Sequence, residues 1–178
     1  MTRAIGDAYY TPAHVAARCV LGIDPGREGA VVSLRGTVAE AALLPSTDAG
    51  LDGRALVAAL RSLLGEGDQP YVVVERAQAF PGQGVASSFR YGRDYGRILG
   101  VLDALGWPYE TVPPAVWHRA LVGGDPGDGK ARAALVVAQL LPDLELRPGR
   151  RRKAHEGIVD AAALAVWGQR RIMQGGGC

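Results

Sequence analysis

Two short apolar segments, each ending in an acidic residue, constrain the fold of this chain most. They read "VLGID", ending at Asp24, and "YVVVE", ending at Glu75. Short runs of this kind, rich in β-branched residues, are typical of strands buried inside a sheet. A carboxylate at the end of a buried strand is costly unless something pairs with it. If the two strands are neighbours, the sequence therefore predicts two carboxylates that converge on a functional site.

The remaining pattern predicts an α/β layered fold built as one domain. Pro-Gly at 25–26 predicts a turn between the first two strands, and Gly65 and Gly106 each follow a segment of helical periodicity. The predicted order is three strands, then strands that alternate with helices. Strands are predicted at 20–24, 30–35, 38–44, 71–75 and 108–112, and helices at 51–64, 85–105, 114–121, 131–141 and 156–172.

Composition excludes several classes of protein. With 178 residues, 48% hydrophobic residues and a net charge of +2, the chain has enough apolar surface for a core and no overall charge that indicates a polyanionic partner. Cys19 and Cys178 form no CxxC pair, which argues against a disulfide framework or a structural zinc site. No apolar run approaches the roughly 20 residues of a membrane helix, and the amino terminus lacks a signal-peptide pattern. We therefore expect a cytoplasmic protein with no membrane partner.

A second acidic pair indicates a metal site. Glu156 and Asp160 lie four residues apart and so share one face of the last predicted helix. If they join Asp24 and Glu75, repulsion of about 4 kcal/mol per pair at roughly 4 Å must be relieved by protonation or by a cation. All-oxygen ligands favour Mg²⁺ or Mn²⁺, and two such ions between acids are a common device for phosphodiester hydrolysis. Taken singly, these acids also fit a turn former, a solvated strand end and a helix-dipole partner.

Three separate blocks resemble the RuvC-like Holliday junction resolvases of the phage, bacterial and plastid branch. They are "LGIDPG", "VVVERAQAFPGQG" with the segment after it, and "KAHEGIVDAAALAVWG". The resemblance spans about residues 19–171. The resemblance implies a ribonuclease-H-like fold with a central mixed five-stranded sheet flanked by helices. It places a nuclease domain at 18–172, an N-terminal extension at 1–17 and a flexible tail at 173–178. It also implies a homodimer that nicks a four-way DNA junction at symmetric positions, with Mg²⁺ (or Mn²⁺), two ions per active site.

The resemblance implies metal ligation by Asp24, Glu75 and Asp160, but it leaves the remaining ligand open. A ligand three residues before Asp160, as in the housekeeping branch, would fall on Gly157, which cannot ligate. The closer branch places Asp or His four residues before, where this chain has Glu156. His155 is the rival, either as a ligand or as a base, if the start of the helix frays.

A further set of residues is implied in DNA contact. An aromatic residue in the Pro-Gly loop would stack at the junction, although a loop aromatic can equally fold into the core. The basic residues would neutralise phosphates, Lys130 beside the scissile one, although solvated faces would look the same. "GDPGDGKA" fits a phosphate loop only in part, since Ala131 stands where Ser or Thr is needed. The predicted DNA contacts are Phe80, Arg76, Arg90, Arg93, Lys130, Arg150, Arg151, Arg152 and Lys153.

Glycines at spacing four, Gly92, Gly96 and Gly100, lie in the predicted helix Val85–Leu105. Each interior glycine costs about 1 kcal/mol against alanine, so a stripe indicates close approach of another helix. The family places its dimer interface here, and packing within one protomer is the alternative. Two other functions stay open: a non-catalytic junction-binding protein, and a ribonuclease-H-like nuclease acting on hybrids or flaps.

Overall fold

A computed structural model describes residues 19–78, 82, 84–123 and 129–175. The predicted N-terminal extension lies outside these residues. Within them the structure contains seven strands and five helices. In chain order these are β1 (Cys19–Asp24), β2 (Ala30–Arg35), β3 (Val38–Leu43), β4 (Ser46–Thr47), β5 (Gly50–Leu51), α1 (Gly53–Ser62), β6 (Pro70–Glu75), α2 (Val85–Leu105), β7 (Tyr109–Val112), α3 (Pro114–Leu121), α4 (Gly129–Leu140) and α5 (Glu156–Gly175).

Five of the strands form one mixed sheet, as predicted. Its order is β3-β2-β1-β6-β7. The first three strands form an antiparallel meander, whereas β6 runs parallel to both β1 and β7. The two acid-tipped strands are therefore parallel neighbours at the centre of the sheet, and Ile23 lies opposite Val74 one residue before each acid. The predicted convergence of Asp24 and Glu75 at one edge of the sheet follows from this register.

Alternation along the central strands divides the core into two layers. Leu21, Ile23, Val72 and Val74 face one layer, which α1 and α2 cover. The residues between them face the other layer, where the buried face of α5 packs with α3 and α4. Since side chains in a strand alternate between faces, Asp24 and Glu75 belong to the α5 side.

A glycine lets α5 lie directly on β1. A Cβ placed on Gly22 would be 2.0 Å from the carbonyl oxygen of Ala161 and 2.6 Å from the backbone nitrogen of Ala165. Any side chain there would push the helix off the sheet. Because Gly22 lies two residues before Asp24 on the same face, this contact brings the first turns of α5 to the acidic end of β1.

Some element boundaries differ from the sequence prediction. A two-stranded hairpin, β4–β5, precedes α1 and was not predicted. Helix α1 begins at Gly53 because the side chain of Asp52 caps it, accepting hydrogen bonds from the backbone N–H groups of Arg54 and Ala55. Helix α5 continues to Gly175, three residues past its predicted end. No helix in the described ranges is long and apolar enough to cross a membrane.

Candidate active site

Three carboxyl groups meet where β1, β6 and α5 come together. Asp24 ends β1, Glu75 ends β6, and Asp160 lies on the second turn of α5. Each is only partly exposed. The charge of Asp24 acts on Glu75 and Asp160, and the charge of Glu75 acts on Asp160. The structure thus brings together three of the four acids that the sequence analysis selected as metal ligands.

Burial and repulsion by neighbouring carboxylates disfavour the charged form of all three acids. Burial raises the pKa of Asp24 to about 6, and the charge of Glu156 adds to the shift. Burial, with the charge of Asp24, raises the pKa of Glu75 to about 7. Burial, followed by the charges of Asp24 and Glu75, raises the pKa of Asp160 to about 7, against the opposing effect of Lys130. A cluster of this kind is stabilised by positive charge.

Two hydrogen bonds hold the strand-end acids. The backbone N–H of Gly26 donates to Oδ1 of Asp24 at 3.0 Å, so the Pro-Gly turn orients this carboxylate. The indole Nε1–H of Trp117 donates to Oε2 of Glu75 at 2.9 Å. Both bonds favour the charged carboxylate and oppose the effect of burial on its pKa.

Glu156 lies at the rim of the cluster. Lys130 Nζ donates to its Oε2 at 2.6 Å, with 81% of the lysine side chain and 68% of the glutamate side chain exposed. This bond raises the pKa of Lys130. Both residues were predicted from the sequence to belong to the active site, and in the structure they form an ion pair with each other.

His155 is buried, with 2% of its surface exposed. Its backbone N–H donates to the carbonyl of Leu146 at 2.7 Å, and its own carbonyl accepts from the N–H of Val159 at 3.0 Å. Burial, followed by the charge of Arg151, lowers the pKa of its imidazole. Its Nδ1 has no hydrogen-bond partner among the residues that the structure describes.

Two open grooves meet at Asp24. The first, which we call the α2 groove, has a volume of about 1060 Å³ and runs between the β1–β2 turn, the β4–β5 hairpin and α2. The second, the basic groove, has a volume of about 670 Å³ and is lined by Arg151, Arg152 and Lys153 beside Glu156 and Asp160. Both grooves are also lined by Asp24, Gly26 and Glu28. Because the two grooves share these residues, we refer to them together as the trough.

The arginines of α2 differ in what they contact. Arg90 is exposed and lines the α2 groove beside Tyr91. Arg93 lies against Gly50 of the hairpin and pairs with Asp94 at 3.0 Å. Arg97 donates from Nη1 to the carbonyl of Leu51. Arg93 and Arg97 therefore hold the hairpin against α2, and Arg90 lines the groove.

Basic residues at the other groove are open to solvent. Arg150, Arg151, Arg152 and Lys153 are all exposed. Arg151 reaches Glu28 of the β1–β2 turn at 3.3 Å, an exposed pair across the trough. Arg76 is exposed after β6. Phe80 lies outside the described residues.

The donor set suits a hard divalent cation. Asp24, Glu75 and Asp160 offer only carboxylate oxygens, which Mg²⁺ and Mn²⁺ prefer. The first turn of α5 closes on Asp24: a Cβ on Gly157 would be 3.1 Å from its Oδ2 and 2.2 Å from the carbonyl oxygen of Glu28. Within the described ranges, no three acidic, histidine or cysteine side chains already form a complete ligand set. The acids fit the ion in the chemistry of their oxygens, and ion binding would draw those oxygens together.

Sequence reasoning missed three residues of this region. Trp117 contacts Glu75, Tyr91 lines the α2 groove, and Glu28 lines both grooves. One signal for Trp117 was present in the sequence: a tryptophan in a short apolar helix. A buried indole N–H usually needs a hydrogen-bond acceptor. Nothing in the sequence indicated which acceptor it would find.

The fold is similar to that of solved structures, although sequence comparison finds no match. No protein-family model matches the sequence, and no curated protein matches it. Solved structures do match. RuvC of T. thermophilus in complex with Holliday junction substrate is 17% identical with a TM-score of 0.60, over 89% of this chain and 96% of that chain. Another T. thermophilus RuvC structure is 23% identical with a TM-score of 0.55, over 87% of this chain and 96% of that chain. The part of the chain that the structure describes therefore has the ribonuclease-H-like fold of RuvC.

Proposed function

We propose that this protein is a metal-dependent, structure-selective endonuclease that resolves four-way DNA junctions by paired, symmetric hydrolysis. The observation that carries the proposal is the cluster of Asp24, Glu75 and Asp160 on the α5 side of the two central strands. Burial and repulsion raise the pKa of all three acids. Perturbed acids in an open trough indicate chemistry rather than packing. The shared fold with RuvC in complex with Holliday junction substrate supports the choice of substrate.

Asp24, Glu75 and Asp160 would hold two divalent ions, Mg²⁺ or Mn²⁺, with Glu156 as the fourth ligand once it leaves Lys130. The ions would supply an activated water and a stabilised leaving oxygen. The acids lie on regular elements: Asp24 ends β1 and accepts from Gly26, Glu75 ends β6 and accepts from Trp117, and α5 carries Asp160. Lys130, once free of Glu156, can neutralise the scissile phosphate. His155, the alternative to Glu156 as a ligand or a base, is buried beside the site.

The trough would hold the DNA backbone. Arg151, Arg152 and Lys153 line one end beside the acids, and Arg90 lines the other end. Phosphate contacts of this kind give affinity that falls with salt. Since the trough passes over Asp24, a strand bound by both ends would lie across the acidic cluster.

The exposed stripe of α2 supports a homodimer. Apart from its own helix, no described atom lies within 4 Å of a Cβ placed on Gly92, Gly96 or Gly100. Phe89 and Val85, one and two turns earlier on the same side, are 73% and 87% exposed. Packing within the protomer therefore does not explain the stripe in the described structure. A second protomer would cover it and bring a second trough to the junction.

A cleavage assay with mapped nicks tests the proposal. Purified protein with Mg²⁺ or Mn²⁺ should nick a four-way junction at paired, symmetric positions and leave linear duplex intact. Asp24→Asn should lower the rate at least about 100-fold while junction binding survives, because several kcal/mol of charge stabilisation is removed. Asp143→Asn, an exposed acid that lines neither groove, is the matched control and should cleave normally.

Other outcomes would replace the proposal. Binding of the junction without nicking under either ion would indicate a non-catalytic junction-binding protein. Preferred cleavage of RNA–DNA hybrids or flaps would indicate another ribonuclease-H-like nuclease. Cleavage by Asp24→Asn at the wild-type rate would refute the assigned metal site.

A further inference from the structure

We propose that Trp117 is a positioning residue, whose indole N–H fixes the carboxylate of Glu75 for metal binding. The inference rests on the proposed function, since it assigns Glu75 to a metal site. It adds a residue outside the acidic cluster, on a helix that contributes no acid to it.

The path of the chain places α3 over Glu75. Glu75 lies opposite Val112 in the β6–β7 pairing, and the backbone N–H of Arg76 donates to the carbonyl of Val112 at 2.8 Å. Pro113 and Pro114 then end the strand and start α3. The first turn of this helix carries Trp117 back to the end of β6. The backbone therefore fixes both residues of this contact: strand pairing fixes Glu75, and the start of α3 fixes Trp117.

Burial makes the contact specific. Trp117 is 3% exposed and packs in the core layer with α4 and α5. An indole nitrogen is a donor only, so its partner must be an acceptor, and at 2.9 Å that partner is Oε2 of Glu75. A rigid, buried ring has little freedom to move, so it holds the carboxylate in one orientation. Without such a partner, a glutamate side chain samples several rotamers, and only some of them place its carboxylate for metal binding.

The next residue ties α3 to the opposite rim of the site. A Cβ on Gly129 would be 2.8 Å from Nε2 of His118, so α3 lies against the first residue of α4, next to Lys130. The rings of Trp117 and His118 are 5.5 Å apart. Helix α3 thus contacts Glu75 through one residue and the start of α4 through the next. This arrangement makes α3 a support for the site as well as part of the core.

The test removes the donor and keeps the ring. Trp117→Phe removes the N–H, and a benzothienylalanine at 117, with sulfur in place of N–H, removes it at nearly constant volume. Trp107→Phe, a half-buried tryptophan in the other core layer, is the control. For each protein, calorimetric titration with Mn²⁺ in the absence of DNA gives the metal affinity. Junction cleavage is then measured as a function of Mn²⁺ concentration.

We expect both Trp117 variants to bind Mn²⁺ about 10-fold more weakly than wild type, a typical effect of removing a partner that orients a ligand. Saturating Mn²⁺ should restore part of the cleavage rate, and junction affinity should not change. Trp107→Phe should match wild type in all three measurements. If Trp117→Phe fails to fold, the sulfur analogue alone decides the result.

Two results would overturn the inference. If wild type and the sulfur analogue bind Mn²⁺ with equal affinity and cleave alike, Trp117 only fills the core, and the proposed function stands. If wild type neither binds Mn²⁺ nor cleaves junctions, the proposed function fails and the inference fails with it.

Discussion

At the scale of single residues, the acids of this site are held in a state that is unfavourable without a counter-charge. Asp24, Glu75 and Asp160 are partly buried, and burial is the largest cause of each raised pKa. Near neutral pH the cluster therefore binds protons in the absence of metal. A divalent ion that binds must displace these protons, so metal affinity should rise with pH through the range from about 6 to about 8.

Asp160 offers the clearest test of how far burial and repulsion destabilise a charged carboxylate in this site. Its pKa is raised from 3.8 to about 7 in the folded chain, so the folded state binds more protons than the unfolded state between these values. Its contribution to stability therefore falls as pH rises through that range. In metal-free protein at pH 8, Asp160→Asn should increase the free energy of unfolding by roughly 2 kcal/mol, half the full effect because solvent screens part of it. The gain should be smaller at pH 5.

Urea denaturation in EDTA at the two pH values measures this effect. Asp143→Asn, which removes an exposed acid, is the control and should change stability little at either pH. Equal effects of Asp160→Asn at pH 8 and pH 5, or a loss of stability at pH 8, would show that Asp160 is not under charge repulsion.

At the scale of elements, the strands were the predictable part. Alternation and β-branching located β1 and β6, and their final residues gave two of the three clustered acids. The i, i+4 pair on α5 gave the third, Asp160. These assignments depend on local pattern and on the general geometry of parallel sheets, both of which a sequence carries.

Contacts between elements distant in the chain were not predictable. Trp117 and Glu75 are 42 residues apart, and Lys130 and Glu156 are 26 residues apart. Arg93 and Arg97 share a helical face with Arg90, but they contact the small β4–β5 hairpin. That hairpin has only two residues in each strand, too few for a periodic signal. Side-chain pairing of this kind depends on how the loops position the helices against the sheet. Local propensity does not determine these positions.

The basic loop before α5 is the element we expect to carry most of the salt-dependent affinity. Changing Arg150, Arg151 and Arg152 to alanine should weaken junction binding. It should also reduce the slope of log affinity against log salt by about 0.9 for each phosphate that the loop no longer neutralises. Fluorescence anisotropy with a labelled junction at several salt concentrations measures both effects. Arg61→Ala, on the exposed last turn of α1, is the control.

Glu28→Gln tests the same loop with a change that should strengthen junction binding. This change frees Arg151 from its exposed ion pair and removes a negative charge from the trough. Junction affinity should rise by up to about fivefold, since an exposed pair is worth at most about 1 kcal/mol. An unchanged salt slope in the triple variant, together with an unchanged affinity in Glu28→Gln, would exclude phosphate binding by this loop.

At the scale of the whole molecule, charge is segregated although its sum is small. A net charge of +2 conceals an acidic cluster beside a strongly basic loop, both on one trough. This distribution favours a bound polyanion that contacts the basic loop while one phosphate lies over the acids. A single trough can place only one strand for cleavage, so paired nicks require two protomers in a fixed arrangement.

The α2 stripe is the surface we expect to join the protomers, and Gly96→Leu tests it. Space is open around a Cβ at this position, and leucine favours a helix over glycine by about 1 kcal/mol. The protomer should therefore be at least as thermostable as before, while the dimer dissociates because a bulky side chain separates the helices. Sedimentation velocity should show a shift from dimer to monomer, with loss of paired nicking. Ala58→Leu, which places the same leucine side chain on the exposed face of α1, should remain a dimer. A dimeric Gly96→Leu variant would move the interface to another surface.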